Sequence, residues 1–187
     1  MSIDLTIEVT NYKKVYPSVT IHFSKIHIQD RVTLILGENG SGKSTLQKSI
    51  VGLVKYQGKI EIKGTISYMP EYPTFPKDTT VSSFLSSLNY LDRCDNEYES
   101  LVKRFELSPK IDSLIATLSK GMLGKLNLIQ CLMRNADIYI LDEPFNGLDK
   151  SSVDILINYI NSSKKSFILS SHIVGVYDKL PKKVIQL

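Results

Sequence analysis

Hydrophobic and polar residues alternate with two different periods along the chain, and these periods predict its secondary structure. Residues 3–10 and 19–23 place apolar side chains at every second position, which predicts two strands joined by a turn at 16–18. Short apolar and β-branched runs predict further strands at 32–36, 59–63, 65–69, 138–141, 166–170 and 183–187. The runs at 32–36 and 138–141 are almost wholly apolar, which is typical of strands buried in a parallel sheet.

Apolar residues recur at helical spacing in three other parts of the chain. These parts lie after residue 45 (Leu46, Ile50, Leu53 and Val54), between 81 and 132 (where Phe84, Leu85, Leu88 and Leu91 form one predicted face), and at 153–160. Three prolines predict a loop at 70–79. The pattern predicts a single α/β domain over residues 1–187. It has a mainly parallel sheet, an N-terminal antiparallel part and one helical insert at about 72–134.

A glycine-rich motif follows the strand predicted at 32–36. It reads Gly-Glu-Asn-Gly-Ser-Gly-Lys-Ser-Thr and matches the phosphate-binding P-loop between a strand and a helix. Its glycines let backbone N–H groups point inward at an anion, and the helix that follows adds the positive end of its dipole. Lys43 is predicted to contact the β- and γ-phosphates, and the Ser44 hydroxyl to bind Mg²⁺. The predicted nucleotide-binding residues of the loop are Gly37, Asn39, Gly40, Ser41, Gly42, Lys43, Ser44 and Thr45.

Two adjacent carboxylates end the strand predicted at 138–141. Asp142 and Glu143 therefore lie at the carboxyl end of a buried strand, where ligands bind in α/β sheets. Asp142 can hold Mg²⁺ through its water shell, and Glu143 is positioned to polarise an attacking water. His172 follows the next predicted strand and is expected at the same sheet edge, where it can contact the γ-phosphate.

Composition adds few constraints. The net charge is +4, and the lysines are scattered in pairs, so nucleic acid is not an expected partner. Cys94 and Cys131 lack metal-ligand spacing and are expected to be free thiols in a reducing compartment. We find no signal-peptide pattern and no apolar run of 18 residues, which predicts a cytoplasmic location.

The order of these motifs resembles that of an ATP-binding-cassette (ABC) nucleotide-binding domain. Residues 118–122, Leu-Ser-Lys-Gly-Met, resemble the family signature Leu-Ser-Gly-Gly-Gln, and residues 146–149, Asn-Gly-Leu-Asp, resemble the D-loop. Residues 138–143 resemble the Walker B strand with its catalytic glutamate, and His172 resembles the switch histidine. Tyr16 resembles the aromatic residue that stacks on adenine, with Tyr12 as the other candidate. Glu71 occupies the Q-loop position, where the family usually has glutamine.

The resemblance implies a P-loop NTPase with a RecA-like core, a helical ABC-specific subdomain and a head-to-tail dimer of ABC domains, homomeric or heteromeric, that encloses two ATP molecules. Ser119 and Gly121 of one subunit would then cap the γ-phosphate held by the other subunit, and Asp149 would lie beside it. Mg²⁺ would be held by Ser44, Glu71 and Asp142. The expected catalytic residues are Glu143, His172 and Lys43. The expected partner is a transmembrane permease subunit on a separate chain, which would place this chain on the inner face of the cell membrane.

Two departures from the family pattern affect this interpretation. The signature carries Lys120 and Met122, a form similar to that of bacitracin- and drug-resistance exporter ATPases, and Glu71 is also met in exporter subunits. Lys120 either compensates charge near the γ-phosphate or faces solvent. The leading hypothesis is therefore an exporter ATPase. The alternatives are a non-transport ABC ATPase acting on DNA, ribosomes or cluster assembly, and a regulatory nucleotide-binding module that does not hydrolyse.

Overall fold

A three-stranded antiparallel sheet is formed largely by the beginning of the chain. The computed structural model describes residues 6–92, 98–173 and 175–187. Strand β1 (Thr6–Val15) pairs with β2 (Thr20–Ile28) on one side and with β4 (Gln57–Lys63) on the other. This confirms the predicted N-terminal strand pair, although residues 3–5 of the first one lie outside the described residues. Both strands extend further than the alternation predicted, up to the turn that Tyr16 N closes by donating to Val19 O.

The second sheet is entirely parallel over its five strands. These are β3 (Val32–Leu36), β5 (Ile66–Met69), β6 (Ile138–Asp142), β7 (Ser166–Ser171) and β8 (Lys183–Gln186). Their order across the sheet is β5-β6-β7-β3-β8. The carboxyl ends of β3, β6 and β7 are therefore adjacent at one edge, and the predicted site residues follow these three strands.

Helices connect the parallel strands, and the described residues between β5 and β6 are mainly helical. The helices are α1 (Lys43–Ile50), α2 (Val81–Asp92), α3 (Tyr98–Arg104), α4 (Lys120–Leu132) and α5 (Lys150–Ser162). Short 3₁₀ turns occupy Ser108–Lys110, Ile115–Thr117 and Gly175–Lys179. The α/β class with a parallel and an antiparallel sheet is thus confirmed.

Two details of the helix predictions are wrong. Helix α1 ends at Ile50, and Leu53 is 67% exposed beyond it, because Gly52 adopts a φ of 78°, which turns the chain out of the helix. Leu91 lies in the last turn of α2 but is 72% exposed, unlike the buried Leu85. The apolar stripe of α2 therefore ends before its last turn.

Two hydrophobic clusters cover the two faces of the parallel sheet. Alternate residues of β3 separate them: Leu34 packs with residues of α2 to α5, and Ile35 packs with α1 and the antiparallel sheet. Fully buried Tyr12 joins the second cluster, where its ring stacks on Phe23 and Tyr56. Packing on both faces holds the strand ends in place, so the loops that carry the site start from a rigid edge.

Candidate nucleotide-binding site

The P-loop wraps around the beginning of α1. Gly42 caps the helix with a φ of 101°, and Gly40 has a φ of 88°, both of which are left-handed conformations that favour glycine. A Cβ atom on Gly37 would lie 2.6 Å from Ser41 Oγ and 2.7 Å from Leu187 O, so the loop also needs glycine there. The result is a compact turn whose helix N-terminus can hold an anion.

Lys43 folds back over this loop. Its Nζ donates to Gly37 O at 2.7 Å and to Glu38 O at 3.0 Å, and the residue is buried. An ammonium has three donors and no acceptor, so it can exchange these carbonyls for phosphate oxygens without moving far. Lys43 can therefore supply a fixed positive charge to an anion in the loop.

Asp142 lies at the end of β6 beneath the P-loop. Its Oδ1 accepts from Ser170 Oγ at 2.6 Å and from Ser44 Oγ at 3.1 Å, and the carboxylate is almost wholly buried. One carboxylate beside one hydroxyl fits Mg²⁺, which usually takes few protein ligands and completes its shell with water and phosphate oxygens. No cluster of three or more acidic, histidine or cysteine residues that could hold a metal exists within the described ranges.

Glu143 and His172 form a pair beside Asp142. His172 Nδ1 lies 3.0 Å from Glu143 Oε1, and since an ionised carboxylate only accepts, Nδ1 is the donor in this contact. Glu143 adopts a φ of 48°, a strained conformation for a residue with a side chain, and its N–H donates to Ser170 Oγ at 3.1 Å. A buried carboxylate oriented in this way can take a proton from a water molecule.

These groups border one cavity of about 600 Å³. Its lining comprises Tyr16, Val19, Ile21, Asn39, Gly40, Gly42, Lys43, Ser44, Thr45, Glu71, Tyr72, Glu143, Asn146 and His172. The structure thus brings together most of the residues predicted from the sequence, with Gly37, Ser41 and Asp142 next to this lining. Of the two tyrosine candidates, only Tyr16 borders the cavity, because Tyr12 is buried and its hydroxyl shares a hydrogen bond with Ser49 Oγ.

Sequence reasoning missed several residues that shape the site. Val19, Ile21, Tyr72 and Asn146 line the cavity, and Ser170 holds both Asp142 and the Glu143 backbone. Their positions in the sequence could have indicated two of them. Ser170 ends the strand predicted at 166–170, just before His172, and Asn146 begins the motif at 146–149. Val19 and Ile21 follow the turn after Tyr16, where a base stacked on that tyrosine would need an apolar wall.

Ser119, Gly121 and Asp149 lie outside this cavity. Ser119 is exposed and caps α4, where its Oγ accepts from Met122 N at 3.3 Å. Asp149 caps α5: its Oδ1 accepts from Ser152 N at 2.8 Å, and Lys125 Nζ lies 3.1 Å from its Oδ2. Hydrogen bonds from Ser152, and then from Ser151 and Lys125, hold the pKa of Asp149 below its usual range. Within one chain Ser119 and Asp149 therefore have structural contacts, and Gly121 does not border the cavity.

The loop at 70–79 connects β5 to α2 and contains Glu71. Its start is tied to α4, because Asn127 Nδ2 donates to Pro70 O at 2.7 Å. Phe75 packs edge-on against Phe84 of α2, whereas Tyr72 is 82% exposed. A second cavity of about 440 Å³ lies beside this loop, and Glu71 and Glu143 border both cavities.

Comparison with known families agrees with this site. The family model described as ABC transporter matches residues 25–146, which include the P-loop and the Asp142-Glu143 pair. This chain belongs to the ABC transporter family, as an ATP-binding subunit with the family's ATP-hydrolysing activity.

Individual relatives extend the comparison. The chain is 31% identical over 188 residues to YthP of Bacillus subtilis, an uncharacterized ABC transporter ATP-binding protein, which covers 95% of this chain and 79% of YthP. It is 34% identical over 153 residues to elongation factor 3B of Saccharomyces cerevisiae, covering 81% of this chain but 14% of that protein. A solved ATP-binding subunit of an ABC transporter superimposes with a TM-score of 0.85 at 26% identity, over 97% of this chain and 85% of the other.

Proposed function

We propose that this chain powers a membrane exporter by binding and hydrolysing ATP in a head-to-tail dimer of ABC domains. The observation that carries the proposal is the convergence of three pairs of groups on one cavity. These are Lys43 with the loop carbonyls, Ser44 with Asp142, and Glu143 with His172. In this assignment the helices from the loop at 72 to about residue 134 form the ABC-specific subdomain of a single domain.

Each pair has a distinct part in the proposed reaction. Lys43 exchanges its loop carbonyls for the β- and γ-phosphate oxygens of ATP. Glu143 accepts a proton from the attacking water, and His172 keeps that carboxylate oriented toward the γ-phosphate. Mg²⁺, held by Ser44 and Asp142, would neutralise charge on the phosphates, with Glu71 at the cavity wall as a further candidate ligand.

A second ABC domain completes the proposed site. Ser119 exposes the N-terminus of α4, whose N–H groups can bind an anion, yet neither Ser119 nor Gly121 borders the cavity of its own chain. A homomeric or heteromeric partner would bring these groups to the γ-phosphate. Asp149 caps α5 and its Oδ2 lies 3.1 Å from Nζ of Lys125 in α4, so Asp149 would accompany Ser119 and Gly121 to the interface.

The partner that couples this ATPase to transport is proposed to be a separate permease chain. No helix within the described ranges is both long and apolar enough to cross a membrane. The likeness to ATP-binding proteins of ABC transporters supports a membrane subunit that holds this chain at the inner face. Lys120 borders the second cavity and Glu71 borders both cavities, and the likeness of these two residues to those of exporter ATPases supports export. The likeness to elongation factor 3B keeps a non-transport role as the second candidate. This chain matches 79% of the length of YthP but 14% of the length of elongation factor 3B, and this difference favours transport.

Two experiments test this proposal directly. A steady-state assay should show Mg²⁺-dependent ATP hydrolysis by the purified chain, and nucleotide binding without turnover would instead support a regulatory module. Pull-down from the native membrane should recover a subunit with transmembrane helices. Recovery with ribosomes or DNA, and without a membrane subunit, would contradict the transport proposal.

Base selectivity should be weak. Tyr16 offers a ring face, Val19 and Ile21 offer apolar contacts, and every nucleobase has a face that can stack on them. We expect ATP and GTP to be hydrolysed with kcat/KM values within about tenfold of each other, since stacking reads no base edge. Parallel steady-state assays with the two nucleotides measure this ratio, and a thousandfold preference for ATP would show a base-reading pocket that this account lacks.

Tyr72 and Phe75 are proposed to help couple the nucleotide site to the permease. The prolines of the loop at 70–79 stiffen it, and exposed Tyr72 offers a contact for a short cytoplasmic helix of the partner. Although Tyr72 lines the nucleotide cavity, we expect Tyr72→Ala with Phe75→Ala to leave ATP affinity within about threefold of the original, since phosphate contacts dominate binding. The same variant should lose co-purification with the membrane subunit or stimulation of ATPase by transport.

The structure sharpens this experiment. Phe75 packs on Phe84, so each single variant is compared with the double variant, and thermal melting reports any loss of stability. Tyr90→Ala removes a similarly exposed tyrosine from α2 and serves as the matched control. Loss of ATPase activity in the isolated chain with unchanged partner association would show that Tyr72 and Phe75 support only the nucleotide site.

A further inference from the structure

Tyr16 has a positively charged neighbour that the sequence motifs do not assign. The Nζ atom of Lys14 lies over the Tyr16 ring, 5.1 Å from the ring centroid. This distance is within the range of a cation–π interaction. No carboxylate within the described ranges lies at ion-pair distance from Lys14, so the tyrosine ring is the group that faces its charge.

Tyr16 contacts both Lys14 and the nucleotide cavity. Tyr16 borders that cavity, whereas half-buried Lys14 does not; Lys14 instead borders a separate surface pocket of about 240 Å³ together with Lys55 and Tyr56. Lys14 lies in the last two residues of β1, and Tyr16 is the first residue beyond this strand. The Tyr16 ring therefore has the Lys14 ammonium over one face and also contributes to the lining of the nucleotide cavity.

We propose that Lys14 positions the Tyr16 ring for stacking and thereby sets how much the nucleobase contributes to binding. This inference rests on the proposed function, in which a base stacks on Tyr16. Two effects support it. The ammonium holds the ring in one orientation before the nucleotide arrives, which lowers the cost of ordering it. The positive charge also polarises the electron-rich Tyr16 ring. A ring face made less negative in this way repels the negative face of a stacked base less.

Neither effect reaches the phosphates, which makes the proposal testable. Loss of Lys14 should weaken ligands that carry a base and leave a bare polyphosphate unchanged. General attraction between lysines and an anion would weaken both ligands to the same extent. Comparing ATP with inorganic tripolyphosphate therefore separates positioning of the ring from a long-range charge effect.

The experiment measures dissociation constants of both ligands by titration calorimetry on the full chain. Lys14→Met keeps the apolar stem and removes the charge, and Lys14→Arg keeps the charge. Lys13→Met removes an exposed lysine of β1 whose ammonium does not lie over Tyr16. We expect Lys14→Met to weaken ATP binding by about two- to fivefold with tripolyphosphate binding unchanged, from the strength of exposed cation–π contacts. Lys14→Arg should restore ATP affinity, and Lys13→Met should leave the ratio of the two constants unchanged.

Four outcomes would overturn the proposal. Unchanged ATP affinity in Lys14→Met, or equal weakening of both ligands, excludes a role through the base. Tighter ATP binding would show that the ammonium competes with the base for the ring. An unchanged ratio in Tyr16→Ala would show that no base stacks there, which removes the role of Lys14 but leaves nucleotide binding intact. Failure of the original chain to bind either ligand would instead refute the proposed function itself.

Discussion

Replacing Lys43 by alanine is expected to weaken ATP binding by at least a hundredfold. Lys43 is the buried cation of the P-loop, and its Nζ donates to the Gly37 and Glu38 carbonyls, which it can exchange for phosphate oxygens. A charge-assisted hydrogen bond contributes about 1.5–3 kcal/mol, and two such bonds to phosphate oxygens correspond to roughly a hundredfold or more in affinity.

Titration calorimetry with ATP and Mg²⁺ measures this loss. Lys48→Ala is the matched control, because Lys48 lies on the exposed side of the same helix. Thermal melting checks that the P-loop still folds once the Lys43 bonds to Gly37 and Glu38 are gone. ATP affinity of Lys43→Ala equal to that of the control would contradict the assignment of the cavity to nucleotide.

Replacing Glu143 by glutamine is expected to lower the rate of ATP hydrolysis by about a hundred- to ten-thousandfold, the usual contribution of a general base. The amide keeps the shape of the side chain and can still contact His172 Nδ1, so ATP binding should persist. Removal of the carboxylate leaves the attacking water without its proton acceptor.

A phosphate-release assay at saturating ATP measures kcat for this variant, and calorimetry measures its affinity. Glu38→Gln is the control: it removes an exposed carboxylate from the P-loop that does not border the cavity. Turnover of Glu143→Gln within a few fold of Glu38→Gln would show that another group accepts the proton.

Local patterns predicted the part of the site that forms within a short stretch of chain. β3 was predicted with its observed bounds. The P-loop after it could be predicted because the glycine spacing, the preceding strand and the following helix all indicate the same motif. Asp142 and Glu143 were found for the same reason, since both end a strongly apolar strand. By contrast, the exposure of Leu53 depends on the left-handed turn at Gly52, and helical spacing contains no information about φ.

Long-range contacts decided the rest of the site. Sequence left Tyr12 and Tyr16 as alternatives, and only packing of Tyr12 against Phe23 and Tyr56 shows that it belongs to the core. The bonds from Ser170 to Asp142 and Glu143 depend on β6 and β7 being neighbours in the sheet, which strand patterns alone do not specify. The contact between Asp149 and Lys125 likewise depends on how α4 and α5 pack, which the sequence pattern does not specify.

The central claim is that two chains share each ATP, and the mass of Glu143→Gln in solution tests it most directly. Because ATP bound only by the dimer shifts the equilibrium toward it, blocking hydrolysis should make the dimer persist. Light scattering should give the monomer mass without nucleotide and twice that mass with ATP and Mg²⁺. The double variant Lys43→Ala with Glu143→Gln should remain monomeric as the control. A monomer mass for Glu143→Gln at saturating ATP would contradict the shared site.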